Sequence, residues 1–170
     1  MRVIGVKGEE RMNEADKREL ANFLDTEGFI GITCVKKEHR FIPMMFIVNT
    51  EKPWLEGVKQ KWGGTISPKK DRRPNWKRGW QWHIHGESLL YVLDAVRPYL
   101  KIKAEPCGLC RELQYRISHK VGVDHHNRLT PQERDTRAEL HRKCKLLTAK
   151  GPRGEQLPLA EPKSQLSLPL

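Results

Sequence analysis

Two acidic residues lie at the end of a short apolar segment, directly before a glycine. The stretch 20–28, LANFLDTEG, carries Asp25 and Glu27 after apolar residues at helical spacing. Carboxylate oxygens bind Mg²⁺, and a magnesium ion beside a phosphate assists hydrolysis of its ester bond. An amphipathic helix with a solvated acidic end gives the same pattern, and periodicity alone favours that simpler interpretation.

A basic cluster with an interleaved Trp76 is the second group suited to chemistry. Clusters of this kind are often solvated loops, but at the tip of a hairpin their cations can also neutralise the phosphates of a nucleic acid. The only opposing charge inside the cluster is Asp71. The cations are Lys69, Lys70, Arg72, Arg73, Lys77 and Arg78.

Cysteine and histidine pairs raise the possibility of a zinc site. Cys107 and Cys110 have the C-x2-C spacing of a zinc half-site, and His141 and Cys144 are spaced alike. Both pairs fall in predicted helices at i, i+3, whereas zinc knuckles use turns, so we favour reduced thiols. The string 125–127, HHN, resembles an HNH nuclease motif in letters only, because it lies in a polar loop.

Composition restricts the classes of protein to which this chain can belong. It has 170 residues, a net charge of +11 and a pI near 9.7, which favours a polyanionic partner. No apolar run approaches the roughly 20 residues of a membrane span, so we expect no membrane partner. The segment 1–18 lacks the apolar centre of a secretion signal. We therefore expect a cytoplasmic protein, or one in the genome-bearing compartment of an organelle.

The chain divides by composition into four regions. All 5 Trp lie between residues 54 and 82, whereas residues 151–170 contain no aromatic residue and are rich in Pro, Ser and Gln. We predict an N-terminal arm over 1–12, one domain over 13–118, an accessory helical region over 119–150 and a flexible tail over 151–170.

Periodicity predicts an alternation of helices and strand pairs. Helices are expected over 13–28, 53–62 and 87–100, with weaker ones over 106–118 and 131–148, and Asn13 and Thr130 as N-caps. The strand pairs are FIGITCV with RFIPMMFIV, and GTISPKK with WQWHIH. This order predicts an α+β fold in which helices cover one face of an antiparallel sheet.

The stretch LANFLDTEG resembles the LAGLIDADG motif of homing endonucleases, and its context is also similar. The segments FIGITCV, FIVNTEKPWLE and WHIHGESLLYVLDAVRPYLKIK follow it in the family's order, so the resemblance covers residues 18–117. It implies an αββαββα fold with a saddle-shaped antiparallel sheet and accessory C-terminal helices. It also implies an intron-encoded, Mg²⁺-dependent endonuclease that cuts both strands of DNA at a specific site.

The resemblance assigns roles to individual residues. Glu27, at the eighth motif position, is the implied metal ligand and catalytic acid, with the carbonyl of Thr26 as a second ligand. Lys103, the second lysine of the KIK turn, is the implied catalytic cation near the scissile phosphate. Asp25 corresponds to an acid that organises the helix end, and Asn49 or Thr50 to a polar residue that positions water.

A single motif implies a homodimer on a nearly palindromic DNA site. Two motif helices would pack side by side and bring two copies of Glu27 together. Asn22 and Thr26 stand where the family usually has Gly or Ala, so this chain departs from the pattern at the point of closest approach. The implied interface residues are Ala21, Asn22, Asp25 and Thr26.

The resemblance places the open face of the sheet against DNA. The second strand is apolar on both faces and contains Pro43, so its DNA-facing residues are not assigned. Beside the basic cluster, the expected contacts are Thr33, Lys37, Ser67, Lys69, Gln81 and His83. Two alternatives stay open: a non-cleaving protein on the same scaffold, either an intron RNA maturase or a DNA-binding regulator, and a zinc-stabilised nucleic-acid-binding module.

Overall fold

The computed structural model describes residues 13–35, 40–69 and 77–149, and it confirms the predicted order of elements. The third helix ends at Val96, earlier than the sequence predicts, and a short 3₁₀ turn that contains Pro98, Arg97–Tyr99, follows it. The elements are α1 (Glu14–Thr26), β1 (Gly28–Val35), β2 (Arg40–Asn49), α2 (Lys52–Trp62), β3 (Thr65–Pro68), β4 (Trp80–Ile84), α3 (Glu87–Val96), α4 (Ala104–Ser118) and α5 (Pro131–Thr148).

Both predicted helix caps are present. The Asn13 side chain accepts the N–H of Asp16 at 2.8 Å, and the Thr130 hydroxyl accepts the N–H of Glu133. Each cap satisfies one of the backbone donors that the first turn of a helix leaves unpaired. The N-cap residues therefore mark the starts of α1 and α5 at the positions that the sequence predicts.

The four strands form one antiparallel sheet in the order β1-β2-β4-β3, as the α+β class requires. β2 pairs with β1 from Arg40 to Ile47, but with β4 only from Met45 onward. Pro43 therefore lies where β2 has a single neighbouring strand, and its missing N–H is tolerated there. The strand is continuous through the proline.

One hydrophobic core lies between the sheet and the helices. Ile30, Met45, Ile47 and Trp82 supply the sheet side, and leucines from α1, α2, α3 and α4 supply the helix side. The Trp82 ring is fully buried, and its N–H donates to the Gly63 carbonyl at 2.8 Å, so its one polar atom is satisfied.

Four of the five tryptophans lie in or against the core. Trp62 and Trp82 are buried, while Trp54 and Trp80 are half-buried and pack against the core. Trp76 lies outside the described residues.

The last helix belongs to the same core as the rest of the fold. Leu140 and Cys144 of α5 are buried in the cluster that holds the sheet residues. The boundary predicted between 118 and 119 therefore does not mark a break in packing. Among the residues that the structure describes, no helix is long and apolar enough to cross a membrane.

The thiols of α4 and α5 lie in this core. Cys110 and Cys144 form a hydrogen-bonded pair, and this contact together with burial raises the pKa of Cys110. Burial raises the pKa of Cys107 to about 12, and its thiol donates to the Leu93 carbonyl. The His141 ring packs on Phe41 instead, and in the described part of the chain no three His, Cys, Asp or Glu side chains cluster as metal ligands.

A buried ion triad joins α4 to α5. Glu133 has a side chain only 4% exposed, and it accepts from Arg116 at 2.6 Å and from Arg137 at 2.8 Å. A carboxylate this buried is stable only because both guanidinium groups compensate its charge. Exposed Glu139 on the same helix pairs with Arg142 in a setting where solvent screens the interaction.

We expect Glu133→Gln to lower the free energy of unfolding by about 3 kcal/mol, because it removes the buried carboxylate that binds both Arg116 and Arg137. Glu139→Gln is the matched control on the same helix, and it should leave the free energy of unfolding nearly unchanged because solvent screens that ion pair. Urea denaturation followed by circular dichroism measures both. Equal losses in the two variants would contradict the structural role of the triad.

Candidate functional site

The helix α1 ends in a tight turn that leads directly into β1. Leu20 and Leu24 are buried, and the N–H of Glu27 donates to the Phe23 carbonyl at 2.9 Å. A Cβ on Gly28 would lie 2.7 Å from the Leu24 Cα, so only glycine allows the strand to start this close to the helix. The turn therefore holds Glu27 between a helix and a strand that are both anchored in the core.

The carboxylate of Asp25 holds the segment that precedes α4. It accepts the N–H of Lys101 at 2.7 Å, of Ile102 at 3.2 Å and of Lys103 at 2.9 Å. These donors lie just before the first residue of α4, where a negative charge also favours the helix dipole. Asp25 thus organises the segment that precedes α4 rather than the end of its own helix.

Lys103 in turn binds the segment that carries Asp25. Its ammonium donates to the carbonyls of Leu24, of Asp25 at 2.9 Å and of Gly28 at 2.8 Å, which uses all three of its N–H groups. These carbonyls belong to the end of α1 and the start of β1, so Lys103 caps that helix. Burial lowers the pKa of Lys103, and the nearby Asp25 charge opposes this shift.

These hydrogen bonds give Lys103 a positioning role. They define what we call the Asp25–Lys103 clamp: each side chain binds backbone groups of the other's segment. The predicted contact of Lys103 with a scissile phosphate stays a prediction, and it would require one N–H to leave its carbonyl.

Glu27 is exposed beside this clamp, and Asn49 contacts it. The Asn49 amide donates to Glu27 Oε2 at 3.5 Å, while its Oδ1 accepts the N–H of Glu51 at 2.9 Å. The second contact directs the amide nitrogen toward Glu27. The structure thereby brings together two residues that lie 22 positions apart in sequence.

The donor set of this site fits a hard divalent cation, but one chain supplies only part of it. An exposed carboxylate is a suitable Mg²⁺ ligand, and the Thr26 carbonyl lies in the same turn. Among the described residues, however, no group of three acidic, histidine or cysteine side chains could hold an ion. The single carboxylate of Glu27 is therefore half of a metal site at most.

Two of the four residues predicted for the dimer interface are engaged within their own chain. Ala21 is fully buried in its own chain, so its side chain offers no surface to a partner, and the Asp25 carboxylate is engaged in the clamp. Asn22 and Thr26 are exposed. The Thr26 hydroxyl donates to the Asn22 carbonyl at 3.0 Å, so it is satisfied within the helix.

The face of the sheet opposite the helices carries most of the predicted nucleic-acid contacts that the structure describes. Ser67 pairs with Gln81 across β3 and β4, Thr65 pairs with His83, and Thr33 is exposed on β1. The imidazole Nδ1 of His83 is buried without a hydrogen-bond partner among the described residues.

Three cations of the basic cluster are described. Lys69, Lys77 and Arg78 are exposed, and the Arg78 guanidinium lies 5.2 Å from the centre of the Trp80 ring, which limits its freedom. The expected contacts Lys37, Lys70, Arg72 and Arg73 lie outside the described residues.

Sequence reasoning left the open-face residues of β2 unassigned, and the structure identifies them. Met45 and Ile47 are fully buried on the helix side, so Ile42, Met44, Phe46 and Val48 lie on the other face. Pro43 and the apolar residues on both faces concealed this alternation. The contact between Asn49 and Glu27 likewise depends on strand register, which short apolar runs do not reveal.

Comparison with known proteins identifies the fold. No protein-family model matches this chain, and no curated protein matches it significantly. The homing endonuclease I-CvuI, solved with its target in the presence of calcium, is 20% identical, with a TM-score of 0.63 over 84% of this chain and 87% of that one. The archaeal intron-encoded homing endonuclease I-Vdi141I, complexed with DNA, is 16% identical, with a TM-score of 0.64 over 84% of this chain and 90% of that one.

A third structure matches over only part of its length. The LAGLIDADG homing endonuclease I-LtrWI, bound to target DNA, is 16% identical, with a TM-score of 0.58 over 84% of this chain but 46% of that one. These matches confirm the fold that the LANFLDTEG motif implies. This chain has the LAGLIDADG homing-endonuclease fold.

We expect Asp25→Asn to lower the free energy of unfolding by about 1–3 kcal/mol, because one amide oxygen cannot hold three N–H donors. Amide exchange at residues 101–103 should accelerate, as measured by hydrogen exchange with NMR detection. Glu27→Gln, at an exposed residue two positions further along the chain, should change neither quantity. Unchanged protection at 101–103 in Asp25→Asn would contradict the clamp.

Proposed function

We propose that this chain, which has the LAGLIDADG homing-endonuclease fold, is a site-specific DNA endonuclease that cleaves both strands as a homodimer with bound Mg²⁺. The observation that carries the proposal is the exposed Glu27 carboxylate, held on a turn that the Asp25–Lys103 clamp fixes from both sides. A rigid, solvent-facing acid next to a cationic sheet surface is what metal-assisted cleavage of a phosphodiester needs.

The need for two copies follows from the shortage of ligands. One chain presents one exposed carboxylate at the site, whereas two copies related by a twofold axis would present two. In support, the chain covers 87% of I-CvuI but only 46% of I-LtrWI, a length with room for two such units. Asn22 and Thr26, on the outward face of α1, are the residues we assign to the contact between copies.

Each residue of the site has a separate task in this mechanism. The bound cation would supply an activated water and charge compensation for the phosphate. Glu27 and the Thr26 carbonyl would hold it, and Asn49 orients the Glu27 carboxylate through their hydrogen bond. Lys103 acts as a positioning residue, because its ammonium sets the end of the helix that carries the ligands.

The charge of the molecule suits DNA as the substrate. The chain has a net charge of +11, and Lys69, Lys77 and Arg78 lie at the exposed start and end of the β3–β4 connection. These cations would contact phosphates and set register, while the polar residues on the open face reach base edges. The place of action would be the compartment that holds the target DNA, either the cytoplasm or an organelle.

A second function is favoured by one observation, the bulk of Asn22 and Thr26 on the outward face of α1. If these side chains keep two helices apart, the two Glu27 groups cannot share metal ions. The chain would then be a non-cleaving protein on the same scaffold, either a DNA-binding regulator or a maturase that binds intron RNA.

We expect Glu27→Gln to reduce cleavage of the target duplex by at least about 100-fold, while its affinity in Ca²⁺ changes by less than about threefold. The amide keeps the shape of the side chain but removes the negative charge that binds a cation. Glu19→Gln, an exposed acid on the same helix, serves as the control and should cleave normally. Undiminished cleavage by Glu27→Gln would remove this residue from the mechanism.

We also expect two chains per target duplex by analytical ultracentrifugation in Ca²⁺. Asn22→Arg should change this ratio to one, because it places two like charges against each other at the twofold axis. Tyr91→Arg, an exposed position on α3, should keep the ratio at two. One wild-type chain per duplex would favour the non-cleaving alternative.

A further inference from the structure

The open face of the sheet carries an unexpected apolar strip along β1 and β2. Strand alternation places Phe29, Ile42, Met44, Phe46 and Val48 on this face, and all five are half-buried although the helices pack on the other side. We call these residues the apolar strip. A sheet face that binds only phosphates would be polar along its whole width, so the strip requires a different explanation.

Side chains of the strip pack against one another in a defined arrangement. The rings of Phe29 and Phe46 stack with centroids 4.8 Å apart and planes 20° apart. The Phe29 ring also covers Gly31, where an added Cβ would lie 2.5 Å from Phe29 Cζ. Glycine at position 31 thus allows the Phe29 ring to lie flat on the sheet. In the strand register, Gly31 pairs with Met44.

Polar and cationic groups border the strip on the same face. Thr33 pairs with Ile42 at one end, and Gln81 pairs with Val48 at the other, with Ser67 next to it on β3. Lys69 is exposed just beyond β3. A partner that fits this surface carries anionic groups on its outside, hydrogen-bonding edges and apolar groups, all within a few ångströms of one another.

The major groove of double-stranded DNA meets these three requirements. Its phosphates suit the cations, its base edges suit Gln81 and Ser67, and the C5-methyl of thymine is its one apolar group. A two-stranded ribbon such as β1–β2 fits the width of this groove. An all-polar partner would leave the strip without a matching contact.

We propose that the apolar strip recognises thymine methyl groups, with Met44 and Phe46 as the central specificity-determining residues. This inference rests on the proposed function, since it assumes that the open face binds the target DNA. Successive strip residues of one strand lie about 6.6 Å apart, because a strand rises about 3.3 Å per residue. The preferred thymines should therefore recur at about two-base-pair intervals within each half-site.

The test starts from a pool of duplexes with randomised sequence, because no target is assumed. Duplexes that bind the full chain in Ca²⁺ are enriched and sequenced, and the consensus is synthesised with thymine or with deoxyuridine. Deoxyuridine lacks only the C5-methyl, so the comparison isolates that group. We expect about a three- to fivefold loss of affinity for each contacted thymine that is replaced.

Two variants link this effect to the strip. Met44→Gln with Phe46→Gln should abolish the difference between the thymine and deoxyuridine duplexes. It should also keep the slope of log affinity against log salt, because phosphate contacts are untouched. Leu146→Gln changes an exposed apolar side chain on α5 and should leave the difference intact. Circular dichroism verifies that each variant is folded.

The outcomes separate this inference from the proposed function. Enrichment of a consensus that binds deoxyuridine as well as thymine would overturn the methyl recognition but leave DNA binding in place. Failure to enrich any duplex, or tighter binding to the matching duplex RNA, would overturn both. A change in self-association of Met44→Gln, Phe46→Gln without DNA would assign the strip to protein contacts instead, and would also overturn the proposal.

Discussion

The reciprocal interaction of Asp25 and Lys103 is the constraint on which the arrangement of the site depends. The two side chains carry opposite charges, yet each forms its hydrogen bonds with the backbone of the other's segment. Bonds to charged groups are among the stronger ones in proteins, at about 1.5–3 kcal/mol each. The end of α1 and the start of α4 are therefore joined at one point, and Glu27 lies on the turn between that point and β1.

The sheet has two faces with separate tasks. The helix side contains the buried residues that stabilise the fold, among them Met45, Ile47 and Trp82. The residues on the opposite side are not part of the core, so they are available for contact with a partner. Strand alternation makes this separation possible, because neighbouring residues of one strand point to opposite faces. Its apolar strip is consequently a feature of recognition rather than of folding in our interpretation.

The last two helices show how chemically reactive residue types serve a structural role. The free thiols of Cys110 and Cys144 form a hydrogen bond in the core, and the Glu133 carboxylate is compensated by two arginines. The spacing of the cysteines suggested zinc as one alternative. The helices direct these side chains into apolar packing, where burial raises the pKa of Cys107 and Cys110 and so disfavours the thiolate that zinc binds.

Local patterns in the sequence determined the order of elements, the helix caps and the fold. Asn13, Thr130 and Pro131 mark helix starts through contacts with neighbours only a few residues away, so a linear pattern reveals them. The LANFLDTEG motif likewise pointed to Glu27, through its resemblance to the LAGLIDADG motif.

The tertiary structure alone decided which distant groups meet. The bonds between Asp25 and residues 101–103 span more than 70 positions, and the contact of Asn49 with Glu27 depends on how β2 pairs with β1. The burial of Ala21 and the outward direction of Met44 and Phe46 also follow from packing of the whole chain. Such contacts are set by strand register and by the position of the core, which residue types along a line leave open.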